Sequence, residues 1–185
     1  MICNLYSVWY DGSLSCTRTY GAGQLYVTRL VDEEENTTYT FTDKLGQTVL
    51  IRQMLDSTPH DTYYVYDDYG NLRYVLPPLA ADKLVSGGWN KSDTVLLEYA
   101  YMYTYDGRNR CIEKKLPGAD PVWYVYDKAD RLIFTQDGEH RARGEWLFTI
   151  PDAFSRTVLT GICANTPDQT AAPLRDFADS GKYTR

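Results

Sequence analysis

Two stretches decide how this chain folds: Tyr64-Val65-Tyr66-Asp67-Asp68-Tyr69-Gly70-Asn71-Leu72 and Tyr124-Val125-Tyr126-Asp127-Lys128-Ala129-Asp130-Arg131-Leu132. Each opens with aromatic and β-branched residues in alternation, the period of a strand. Each then sets an aspartate three residues before Gly70 or Asp130, residue types that tolerate positive φ. An aspartate side chain accepts bonds from backbone amides just ahead of it, so Asp-x-x-Gly reads as a hairpin connection. Apolar return strands follow, Leu72 to Leu76 and Leu132 to Phe134.

Working outward, the same arrangement recurs at Asp43 with Gly46, Asp106 with Asn109, and Asp152 with Ser155. Before these turns lie Tyr39 to Phe41, Tyr99 to Tyr105 and Trp146 to Ile150; after them lie Val49 to Ile51, Cys111 and Ile112, and Val158 and Leu159. The turn aspartates are 24, 39, 21 and 25 residues apart, a stacked-repeat spacing with one insertion. The insertion follows Pro77 and Pro78 and predicts a short helix near residues 79–86, closed by Gly87 and Gly88. Residues 1–35 predict a further hairpin or two, with turns at Asp11-Gly12 and Gly21 to Gly23 and the acidic run Asp32 to Glu35 at an exposed bend. Pro151 stands where the other copies carry an aromatic or Thr, so that copy is expected to be an edge strand or a disrupted turn. The expected fold is all-β: serial antiparallel hairpins in one long curved sheet over residues 1–163, then a polar, loosely ordered tail over 164–185 with a helical turn near Leu174.

Composition narrows the function. Of 185 residues, 17 are tyrosine, which favours pleated, half-buried surfaces. The net charge of -6 leaves no basic face for a phosphate backbone, so nucleic acid is not an expected partner. Cys3, Cys16, Cys111 and Cys163 form no CxxC pair, and His60 and His140 are far apart in sequence; the thiols read as buried apolar residues and no metal or cofactor is expected. His60, beside Pro59, reads as a loop residue, and His140 as part of a charged surface run. The first residues lack the cationic and apolar regions of a signal peptide, and no later run has the length of a membrane span, so any export signal is expected outside this chain.

Tyr64 to Leu72 and Tyr124 to Leu132 resemble the YD repeat of the RHS family, whose shared pattern is approximately YxYDxxGRL. Val75-Leu76-Pro77-Pro78-Leu79, Glu113 to Asp120 and Trp146 to Ile150 look more particularly like the RHS-type surface proteins of Bacteroidetes, and the matches together span residues 20–163. The resemblance implies hairpins that coil into a hollow shell or elongated β-structure in very large secreted or cell-surface proteins, often around a C-terminal toxin. Nothing in the chain resembles the core segment that precedes the toxin or the aspartates that release it. Five units are few to close a shell, so the chain reads as a fragment or a short member of a longer array.

No GxSxG elbow, HExxH, P-loop or dinucleotide fingerprint is present, and the chain is expected to catalyse nothing. The turn aspartates are accounted for by their turns, although a calcium ladder or general acids would use the same residue type. The tyrosines are the candidate binding face: Tyr99, Tyr101, Tyr103 and Tyr105 on one strand, with Tyr124 and Tyr126, offer rings that stack on sugars or anchor protein contacts. Cross-strand aromatic packing, worth roughly 0.2–1 kcal/mol per pair, is sufficient reason for them in a sheet and is the stronger of the two readings. Two readings therefore stand: a structural scaffold whose partners are other YD repeats or its own exposed sheet edges, and an adhesin-like module for glycan or a surface protein.

Overall fold

The computed structural model describes residues 2–164 and Leu174. Antiparallel strands dominate it, and each strand of the repeats pairs with its neighbour in sequence. Within the stretch read as one repeat module the backbone forms two compact units: Met1–Tyr103 with Leu116–Gly118, and Thr104–Lys115 with Ala119–Arg185. Of the expected tail, only Ala164, which ends the last strand, and Leu174, which is buried, lie among the described residues.

The first unit holds two sheets. β1 (Asn4–Val8), β2 (Leu14–Thr19) and β8 (Gly87–Trp89) form the smaller, in the order β1-β2-β8. The larger runs from its outer strand β3 (Tyr26–Val31) through β4 (Thr37–Thr42), β5 (Thr48–Leu55), β6 (Thr58–Tyr66) and β7 (Leu72–Leu76) to the start of β9 (Tyr101–Tyr105), where Val75 pairs with Tyr101 and Tyr74 with Met102. Helices α1 (Pro78–Lys83) and α2 (Thr94–Tyr99) flank β8 in sequence. One apolar cluster joins these elements: Phe41, Leu50, Tyr63, Val65, Tyr74 and Leu76 from the large sheet, Tyr6, Leu14 and Cys16 from the small one, and Ala80, Leu84 and Leu96 from the insertion. Burying a Leu or Phe side chain contributes about 1.5–3 kcal/mol, so this cluster is what holds the second layer on the sheet. Its polar atoms are paired: Tyr6 Oη donates to the Leu84 carbonyl at 2.9 Å and Tyr74 Oη to the carbonyl of Gly12.

The second unit is a run of hairpins: β10 (Cys111–Lys115), β11 (Val122–Tyr126), β12 (Leu132–Gln136), β13 (Glu145–Pro151) and the outer strand β14 (Thr157–Ala164), with α3 (Gly138–Arg143) between β12 and β13. Its core is small. Val125, Ile133, Trp146 and Leu174 are buried together, with Trp123, Phe134 and Cys163 packed around them. Buried Gln136 donates to the Glu145 carbonyl at 2.8 Å and ties the ends of the α3 crossover.

Four expectations need correction. Tyr99 does not belong to the tyrosine strand: Asp93 caps α2 by accepting from the Val95 amide at 2.9 Å, and burial of Leu96 carries the helix on through Tyr99. The insertion accordingly holds two helices, and Gly87 to Trp89 is not their terminator but a strand paired with Leu14 to Cys16. His60 is not in a loop. Asp56 and Ser57, both at positive φ, make a two-residue turn that starts β6 at Thr58, so His60 lies opposite Gln53. The Pro151 copy is neither an edge nor disrupted: β13 pairs on both sides, and its β12 register involves Leu147 and Phe148, leaving Pro151 beyond that ladder where it need not donate.

Candidate functional site

The repeated turn is the most ordered polar feature of the chain. At Asp43, Asp67, Asp106, Asp127 and Asp152 the amide of the aspartate donates to the carbonyl four residues on, at 2.8–3.0 Å, and its carbonyl accepts from the amide three residues on. The residue at that third position has positive φ in each copy: Gly46, Gly70, Asn109, Asp130 and Ser155. One carboxylate oxygen accepts two further amides, as Asp127 Oδ1 does from Ala129 and Arg131 at 2.9 Å each. This is a three-residue hairpin loop, a type I turn followed by a left-handed residue. The register slips by one just beyond it, so Val65 faces Tyr74 while Tyr66 faces Leu72.

A sixth copy escaped sequence reading. Asp32 donates to the Asn36 carbonyl at 3.1 Å, accepts amides from Glu34 and Asn36 at 2.9 and 2.8 Å, and is followed at the left-handed position by Glu35, φ 65°. Glutamate is a poor signal for positive φ, and only the aspartate with an amide side chain four residues on marks the turn.

In the second unit each turn is followed by an arginine. Arg110, Arg131 and Arg156 each grip their own turn aspartate through Nε and Nη2, at 2.6–2.7 Å. Arg110 Nη1 then reaches the carbonyl of Asp127, and Arg131 Nη1 that of Asp152, both at 2.9 Å. The arginines thus link each hairpin to the next. Burial alone would raise the Asp106 carboxyl, but the Arg110 guanidinium and the Arg110 and Arg108 amides outweigh it and hold it below the ordinary carboxylate value. The Arg156 amide, with the Arg156 guanidinium, lowers Asp152 likewise. Carboxylates committed in this way have few lone pairs left for a metal or a substrate.

The tyrosine face is half-buried. Tyr101, Tyr103, Tyr105, Tyr124 and Tyr126 alternate with buried Met102 and Val125, so they lie on the side of their strands away from the two cores. Tyr126 Oη donates to the Cys111 carbonyl at 2.9 Å, and Arg110 lies over its ring. Among the described residues the aromatic side chains that stand exposed are others: Trp9, Tyr10 and Tyr26 in the first hairpins, and Tyr69 and Phe154 at turn tips.

Chemistry elsewhere is sparse. His140 Nδ1 sits 2.8 Å from the carboxylate of Asp137, which also caps α3. A cleft of about 400 Å³ beside His60 is lined by Asp32, Asn36, Gln53 and Met54, and the Asp32 carboxylate is occupied by its turn. A second cleft, of about 200 Å³, lies between β1 and the Asp43 and Asp67 turns. Burial pushes the Cys3 thiol up to about 12 and raises Cys16, Cys111 and Cys163. Among the described residues no group of His, Cys, Asp and Glu is arranged to hold a metal, and no helix is long and apolar enough to cross a membrane.

No family model and no curated protein matches the sequence. Solved structures do resemble its fold. A chain in the crystal structure of TcdB2-TccC3 aligns with a TM-score of 0.56 at 14% identity over 96% of this chain, and one in TcdB2-TccC3-Cdc42 with 0.56 at 14% over 91%. A chain of the Photorhabdus luminescens Tc holotoxin pore aligns with 0.55 at 13% over 95%. This chain spans about a tenth of the length of each, and what it shares with them at such identity is an all-β fold of antiparallel strands.

Proposed function

We propose that this chain is a structural module of an RHS/YD-repeat protein that is secreted or displayed on a cell surface, of the kind its sequence resembles in Bacteroidetes, and that it catalyses no reaction. The observation that carries this reading is the commitment of the turn aspartates. Each carboxylate binds its own backbone, and in the second unit each also holds an arginine, two of which reach the next hairpin. Residues placed this way transmit order from repeat to repeat. Fold similarity to segments of very large Tc toxin chains supports membership of a longer array.

The test is to replace turn aspartates singly by asparagine and follow thermal unfolding alongside calorimetric titration with candidate glycans and metal ions. The structural reading expects a lowered midpoint and no saturable heat for any variant or for the wild type. Saturable binding that Asp127→Asn or Asp106→Asn abolishes while the midpoint holds overturns it.

A binding role is the second reading, favoured by the solvent-facing rings of Trp9, Tyr10, Tyr69 and Phe154. A glycan array comparing wild type with Tyr69→Ala, Phe154→Ala, Tyr101→Ala and Tyr103→Ala separates the two. Signal lost in the first pair places binding at the turn tips, signal lost in the second pair places it on the strand face, and no signal in any protein removes this reading.

A further inference from the structure

The arginine relay of the second unit follows a rule of position. Arg110 immediately precedes β10 and reaches the carbonyl of Asp127, which immediately follows the next strand, β11. Arg131 immediately precedes β12 and reaches Asp152, which immediately follows β13. Arg156 immediately precedes β14 and grips Asp152 as its counterparts grip theirs, but its side chain is 74% exposed against 18% and 20% for Arg110 and Arg131. Among the described residues β14 is an outer strand, and Val158, Leu159 and Ile162 on it are exposed.

We propose that the β14 edge and Arg156 receive the β3–β4 hairpin of a second copy of this chain; this rests on the array reading above. Three features of that hairpin fit. β3 is the outer strand of the first unit and is exposed throughout, with Tyr26, Val27, Leu30 and Val31 in solvent. Asp32 immediately follows β3, so when β3 pairs antiparallel with β14 it falls beside Arg156, as Asp152 falls beside Arg131. Its turn also has the bonding of the relay turns: the Asp32 carbonyl accepts the Glu35 amide at 3.1 Å, just as Asp152 accepts Ser155 at 3.0 Å while also accepting Arg131. A carbonyl has a lone pair for each donor.

Charge supplies the remaining selectivity. The receiving turn reads Asp32-Glu33-Glu34-Glu35 and offers a concentrated negative field to an exposed guanidinium. The contact is heterologous, β14 of one copy against β3 of the next, so it leaves a free β14 and a free β3 on every dimer and builds chains. Edge pairing of this sort is what an exposed, apolar strand invites.

Sedimentation velocity of the full chain across a wide concentration range tests the proposal. Wild type is expected to grow from monomer through dimer to longer species, and Arg156→Glu and Glu34→Arg are each expected to weaken association by roughly tenfold or more, the effect of losing a close interfacial charge pair. Glu34 is exposed, so the thermal midpoint of Glu34→Arg is expected to match wild type, whereas Arg156→Glu also loses its bonds to Asp152 and is expected to lower it. Mixing the two variants restores association, because each then finds an opposite charge across the contact. A wild type that stays monomeric at all concentrations, or association that survives both variants, overturns the inference. A monomer that also binds no ligand leaves the structural reading of the module standing, whereas saturable binding abolished by Asp127→Asn at an unchanged midpoint sinks that reading separately.

Discussion

In the first unit the turns at Asp43 and Asp67 place glycine at the left-handed position and an amide, Gln47 or Asn71, after it; in the second the turns at Asp106, Asp127 and Asp152 place Asn109, Asp130 and Ser155 there and an arginine after each. The difference follows the size of the core. The first unit lays a second sheet and two helices over its strands and buries a large mixed cluster, so its hairpins are held from one face by apolar contact. Among its described residues the second buries little beyond Val125, Ile133, Trp146 and Leu174, and its hairpins are connected along their turns by charge-assisted bonds instead. One local motif thus serves two regimes, and what changes is the residue after the turn.

The two units should therefore fail under different conditions, most completely at high pH. Burial raises Tyr6, Tyr20 and Tyr74 of the first unit from 10.0 to about 12. Their contribution to stability is full below the unfolded value and is lost as pH rises through the folded one. Circular dichroism between pH 10 and 12 is expected to show the first unit unfolding as these phenols ionise, and Tyr74→Phe to delay it. At the acid limit Asp106 and Asp152 lie below their unfolded 3.8, so their contribution is present above that value and disappears as pH falls through the folded one. Stability that is flat from pH 5 down to pH 2 would contradict the role given to these carboxylates.

Next in size is the small core itself. Trp146→Ala is expected to cost about 3–5 kcal/mol, as large-to-small changes at buried tryptophans do. Because Trp146 anchors the cluster of the second unit, calorimetry should resolve an early transition for that unit while the first keeps its midpoint. A single shifted transition would mean that the units unfold together.

The turn staples come third. Asp127 is almost wholly buried and bonds two amides and the Arg131 guanidinium, whereas Asp67 has an amide neighbour at Asn71 and a longer, 3.4 Å contact to Arg73. Hydrogen bonds to charged groups contribute roughly 1.5–3 kcal/mol, so Asp127→Ala should lower stability by about that amount and Asp67→Ala by clearly less. Equal losses in denaturant titrations would dissolve the distinction between stapled and packed hairpins. The smallest effect is expected at Ser155, held at φ 63°; Ser155→Gly should stabilise by up to about 1 kcal/mol by removing the cost of a Cβ in the left-handed region.

Much of this architecture was legible in the sequence. The strand pairs around Asp43, Asp67, Asp106, Asp127 and Asp152 follow from an alternation of period two and a turn whose bonds close within five residues. The candidate tyrosine face was legible in part: Tyr101, Tyr103 and Tyr105 share a strand face, but Tyr99 is drawn into α2 by the burial of Leu96, a contact six residues of sequence cannot announce.

The sequence by itself determined where the chain turns and which neighbours pair, because an aspartate and a left-handed residue three positions apart satisfy one another locally whatever surrounds them. Tertiary structure decided the rest. It alone brings Gly87 to Trp89 beside β2, aligns Arg110 and Arg131 with carbonyls 17 and 21 residues away, and lets Glu35 hold a conformation its side chain disfavours. Those choices depend on which faces of the strands are covered and on how far one hairpin is from the next, distances that exist only after the strands have paired.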